Sequence, residues 1–224
     1  MTALVASPQW FRGVDIILEI VTMLIAMGVV YAGWHAYRVT NERKHLYFAT
    51  AFGLISLSFL GRLFAAATIA LNAFSEAVVE PASSALGVGW QIFSLGRLAY
   101  VWLVLAAYGI LLGLALKWQR KRDVLVLLAL TTVITATSVI DSWPFYLASL
   151  ALVFCIALQH YFNYRQRKAA TAYNIFVAFG LLTLEPFLFL LASAEPALIA
   201  AAYGVRLIAY LIVLKTLWKV LSNE

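Results

Sequence analysis

Residues 178–187 read AFGLLTLEPF, an apolar run that carries a glutamate and a proline side by side. Residues 51–60, AFGLISLSFL, open with the same four letters and hold neither. Both lie inside segments long enough to cross a bilayer core, which is about 30 Å thick and takes about 20 apolar residues per helix. The rest of the chain has the same character: 64% of its 224 residues are hydrophobic, 12% are charged, and the mean hydropathy is +0.92. Such a composition belongs to a multi-pass integral membrane protein and leaves no room for a soluble catalytic domain; the cell membrane is the expected location. The single cysteine, Cys155, excludes an internal disulfide. The opening MTALVASPQWFRGVD lacks the basic segment and short apolar stretch of a cleaved signal, so the first span is expected to direct insertion.

The sequence predicts an all-α fold of seven transmembrane helices, at about 14–37, 46–72, 92–116, 123–140, 143–163, 171–193 and 197–219. A barrel would alternate apolar and polar residues, and no segment does. Arg38, Arg43, Lys44, Lys117, Arg120, Lys121, Arg122, Arg165, Arg167, Lys168, Lys215 and Lys219 fall at one set of helix ends. Glu76, Glu80, Asp141 and Glu195 fall at the other, with only Arg12 against them. The positive-inside rule then puts the N-terminus outside and the C-terminus inside. Trp10, Trp90 and Trp143 at the outer ends, with Trp34, Trp118 and Trp218 at the inner ends, suit interfacial belts. The net charge of +6 reflects this topology and a basic face against anionic lipid, not a nucleic-acid surface.

The shared opening of the two quoted stretches extends. The shift that lays Tyr37 and Arg38 on Tyr164 and Arg165 also lays Ala51–Leu54 on Ala178–Leu181, Leu57 on Leu184 and Ala65 on Ala192. After a deletion in the longer external connection, Arg97 and Leu98 meet Arg206 and Leu207, and Val104 and Leu105 meet Val213 and Leu214. We read one membrane domain over 1–224: a repeat at about 14–116, a linker helix at about 123–140 and a parallel repeat at about 143–219.

This three-plus-one-plus-three arrangement resembles that of the SWEET and PQ-loop transporters, and microbial opsins share its helix count and orientation. The resemblance is one of topology. The first and fifth helices carry no proline-glutamine pair of the PQ-loop kind, and the third has no acid to serve as a retinal counter-ion. Lys215 stands near the basic inner end, one turn from Lys219, where a snorkelling anchor belongs. Retinal is not expected.

Ionisable residues within spans are costly unless paired or hydrated, and so mark the sites worth attention. They are Glu19, Arg62, Arg97, Glu185 and Arg206. At about 1.5 Å per residue, Arg62 and Glu185 stand roughly 25 Å above the inner ends. Glu19 lies slightly higher, Arg97 near the outer edge and Arg206 closer to mid-depth, with Asp15 and Asp141 at the rim. Five helices can therefore contribute to one polar cluster in the outer half. Pairing alone would clamp the bundle; a ligand site would use the spare positive charge and the planar arginine fork to hold a carboxylate or phosphate. Pro186 frees the Leu182 carbonyl beside Glu185, as broken transporter helices do near their sites.

Other motifs carry less. His35, His45 and His160 lie toward the inner side without the shared helix face or cysteine and acidic neighbours that a metal or haem needs, so neither is expected. Gly109 and Gly113 in GILLG offer a close-packing surface to a bundle helix, a membrane-protein partner or a second copy. Tyr100, Tyr203 and Tyr210 can offer hydroxyls near the arginines, and the connection 73–91 can cap the cluster. The first functional expectation is binding or transport of a small polar solute, anionic ones included, through Arg62, Arg97, Glu185, Arg206 and Glu19. The alternative is a non-transporting accessory subunit or a ligand-sensing receptor, the short tails favouring the subunit. An intramembrane enzyme using Glu185 as acid or base ranks last, since no nucleophile, metal set or second acid stands beside it in sequence.

Overall fold

The computed structural model describes residues 11, 13–78, 83–117, 121–138, 142–192 and 194–222, with the side chains of 65, 66, 68–93, 121–125 and 167 outside that description. Among the described residues seven helices follow one another: α1 (Val14–Thr40), α2 (Arg43–Val78), α3 (Ser83–Ala115), α4 (Lys121–Thr137), α5 (Trp143–Arg167), α6 (Ala170–Leu191) and α7 (Leu198–Ser222). Among the described residues there is no strand. Six of these helices are long and apolar enough to cross a membrane. Large apolar side chains such as Ile17, Leu24, Phe64, Leu95 and Phe154 stand exposed around the bundle, where lipid solvates them. The chain is an integral membrane protein.

Two boundaries differ from the sequence reading. Helices α2 and α3 run to Val78 and from Ser83, so most of the expected 73–91 connection is helical. Alanine is the best helix former, and the connection holds Ala73, Ala77, Ala82 and Ala85, after Ala65, Ala66, Ala67 and Ala70 at the end of the span. The fourth helix, expected as a full span, has 17 residues and falls short of the other six. Hydroxyls crowd its second half; Thr131, Thr132, Thr135 and Thr137 each donate to a carbonyl three or four residues back. The predicted outer residues Trp10, Arg12, Glu80 and Asp141, the inner residues Trp118 and Arg120, and the side chains of Glu76, Trp90, Lys121, Arg122 and Arg167 lie outside the described residues.

Helix ends at the basic side share one device. Asn41 (φ 55°) and Lys168 (φ 50°) sit in the left-handed region and donate their amides to Tyr37 O and Tyr164 O at 2.8 and 2.7 Å, ending α1 and α5. Lys117 (φ 54°) turns the chain after α3, with its amide on Leu114 O. At the other end of α1, Asp15 Oδ1 accepts from the amides of Gly13 and Ile16 at 2.9 and 3.0 Å, satisfying amides that the helix leaves open.

The helices close into a ring in the order α1, α2, α3, α5, α6, α7 and back to α1, while α4 packs chiefly on α3 and α5. Close approach rests on small residues, as lipid supplies no hydrophobic drive between helices. A Cβ at Gly33 would stand 3.1 Å from Ala49 Cβ across the α1–α2 contact. One at Gly109 would stand 2.0 Å from Leu127 Cδ2, so α4 covers this glycine within the chain. A main apolar core draws on all six ring helices, and a second cluster of Phe11, Ala192, Ile199 and Tyr203 lies apart from it.

A candidate polar site between two apolar clusters

Four of the five predicted ionisable residues meet between these clusters. Helix α1 supplies Glu19, buried at 4% exposure, and α2 supplies Arg62, whose Nε lies 3.0 Å from Glu19 Oε1. Helix α6 supplies Glu185 and α7 supplies Arg206, with Arg206 Nη1 donating to Glu185 Oε1 at 3.1 Å. Tyr203, one turn before Arg206 on α7, joins the two pairs. It donates its hydroxyl to Glu19 Oε1 at 2.9 Å and accepts from Arg62 Nη2 at 2.6 Å. Its ring lies against both guanidinium groups, 5.8 Å from that of Arg62 and 4.7 Å from that of Arg206. Phe59 takes the Arg206 guanidinium at 4.8 Å. Each cation thus has a carboxylate and an aromatic face, the pairing that lets charge persist away from water.

The fifth residue stands elsewhere. Arg97 Nη2 donates to Ser138 O and Ser142 Oγ at 3.0 and 2.8 Å, binding α3 to the junction between α4 and α5. The cluster therefore holds two arginines against two carboxylates, where three arginines were expected. Asp15 serves the start of α1. Helix α6 runs as one helix through Pro186, which is buried with Glu185.

The two pairs differ in completeness. Among the described residues, Glu185 Oε2, Arg206 Nε and Arg206 Nη2 are buried without a hydrogen-bond partner, as is Ser149 Oγ. Nε and Nη2 form the side edge of the guanidinium, the edge that grips a planar oxyanion with two parallel bonds. Beside Glu185 lies a cavity with about 20 Å³ open to the centre of a water molecule, lined by Arg62, Tyr100, Tyr108, Tyr146, Ser149 and Glu185 among others. That is room for about one water. Phe11 and Phe189 pack on Tyr203 with ring centroids 5.8 Å away in each case, and place the second apolar cluster over the pairs.

Sequence reasoning missed Tyr146 and Ser149 on α5. The shift that lays Tyr37 on Tyr164 also lays Glu19 on Tyr146 and Thr22 on Ser149, so the internal register held the signal. Phe11 had none, being one aromatic in an irregular segment. Among the described residues no group of three or more histidine, cysteine or acidic side chains could hold a metal ion. In comparisons with known proteins, no family model, no curated protein and no solved structure matches the chain.

Proposed function

We propose that this protein binds a small polar solute in the outer half of its bundle and carries it across the membrane. The observation that supports this reading is the unpaired edge of Arg206, a residue exposed by only 1%, next to the unpaired second oxygen of Glu185. Buried polar atoms without partners are rare in native proteins, because each forfeits its hydration, so water or a guest belongs there. Two donors beside one acceptor suit a solute that carries a carboxylate-like group and a hydrogen-bond donor, as an amino-acid zwitterion does. The cluster is balanced in charge, so the anionic group would be read by the arginine fork and not by surplus positive charge. The cavity is too small for such a guest, and binding would require the Phe11 cluster to move.

A parallel repeat, as read from the sequence, would suit a carrier. In the ring, the seam of α3 with α5 corresponds to that of α7 with α1 when the first three helices are laid on the last three. The left-handed caps Asn41 and Lys168, with acceptors Tyr37 and Tyr164, stand in the same register. So do buried pairs such as Ala26 and Val153, Val29 and Ile156, and Phe52 and Phe179. Rocking of two such halves would expose a central site alternately. Basic residues at one set of ends favour the N-terminus outside.

The test is a titration of protein in lipid nanodiscs with glycine, alanine, acetate and lactate, read by thermal unfolding, followed by uptake of the responsive solute into proteoliposomes. At least one solute is expected to stabilise the protein. Arg206→Lys keeps the charge beside Glu185 and removes the fork. It should abolish the ligand-induced shift and uptake. If no solute shifts the wild-type protein, or the lysine variant responds fully, the pairs serve only to clamp the helices.

A further inference from the structure

A second cavity lies toward the basic ends of α2, α3, α5 and α6, with a volume of about 150 Å³. We propose that it binds a six-membered ring carrying a hydroxyl or carbonyl oxygen, the chemistry shared by phenols and quinones dissolved in the membrane. This site is distinct from the polar cluster, and the inference does not rest on the function proposed above. The size argument is direct: an apolar protein cavity of about 150 Å³ holds benzene. Phe48, Leu111, Leu114 and Phe179 supply the apolar wall.

The remaining lining is largely polar and offers hydrogen-bond donors. His160 stacks on Phe179, with ring centroids 5.1 Å apart and planes 8° apart, and both rings line the cavity. Asn163 follows three residues later on the same face of α5, and Lys117 closes the α3 side. Neither His160 nor Asn163 takes a side-chain hydrogen bond among the described residues. The lining contains no carboxylate. The donors among these groups suit a guest with an acceptor oxygen, which a lipid tail lacks, and the wall suits an apolar body, which free phosphate lacks. The other half of the chain has no such space at this register: the shift lays Gly33 on His160, and Gly33 is closed against Ala49.

The experiment uses the full chain in nanodiscs and compares 4-fluorophenol with fluorobenzene by fluorine NMR, with empty nanodiscs as the partition blank. Saturable binding of 4-fluorophenol above that blank is expected. Ala115→Leu, which fills the cavity, should remove binding of both probes. His160→Phe retains the stacked ring but not the donor, and should weaken 4-fluorophenol about tenfold while leaving fluorobenzene unchanged. Retained fluorobenzene binding also shows that this variant is folded. The proposal is overturned if wild-type protein shows no saturable component, if Ala115→Leu binds as wild type, or if His160→Phe affects the two probes alike.

Discussion

Tyr203 decides how the ionisable residues share their charges. Its hydroxyl donates to one carboxylate and accepts from one arginine, while its ring faces both guanidinium groups. Tyr203→Phe keeps the ring and removes the link, and should lower stability by about 1–2 kcal/mol in detergent unfolding. The carboxylates should respond unequally. Arg206 and Glu185 are nearly sealed, at 2% and 9% side-chain exposure, so Glu185→Gln strands a buried cation and should destabilise by about 3–5 kcal/mol. The Arg62 side chain is 37% exposed, so Glu19→Gln leaves a cation that can still reach polar surroundings, and should be the milder change. Equal losses from the two substitutions would contradict the difference in burial. The sequence announced these residues through the expense of charge in hydrocarbon. It offered Tyr203 only as one of three tyrosines near the arginines, because a tyrosine in a span is tolerated whether or not its hydroxyl has work.

Helix α4 is the element least like the others. It is short, rich in threonine and held on the outside of the ring, and its contact with α3 depends on the absence of a side chain at Gly109. An added Cβ would meet Leu127 Cδ2 at 2.0 Å, the tip of a side chain that can rotate away at some expense in packing. Gly109→Ala should therefore destabilise by about 1–2 kcal/mol despite the better helix propensity of alanine. Adding Leu127→Ala should restore part of that loss; a double variant no better than the single one would show that the two helices do not meet there. From GILLG alone a close helix contact was readable. Which helix would fill it was not, since small residues invite any neighbour.

Across the whole molecule, the basic ends and the ring carry the proposed orientation. In a Cys155→Ser background, Glu195→Cys should react with a membrane-impermeant maleimide added to intact cells, and Ser222→Cys only after permeabilisation. The reverse pattern would invert the protein in the membrane and move the polar cluster to the inner half. The ring also accommodates both the polar cluster and the second cavity: helices that cluster charges at one level can part at another, where Gly33 is closed on Ala49 and His160 lines open space.

The sequence by itself determined that the chain is helical and membrane-embedded, and that its intramembrane charges would seek one another. Those outcomes follow from the solvent: hydrocarbon offers no hydrogen bonds, so the backbone must satisfy itself locally and lone charges must find partners. Only the tertiary structure decided that Glu19 takes Arg62, that Glu185 takes Arg206, that Arg97 leaves the cluster for Ser138 and Ser142, and that Phe11 lies over Tyr203. The reason is rotational. A helix apolar on every side carries little sign of which face looks inward, and a step of one residue turns a side chain by about 100°, so partners are fixed only when the helices pack.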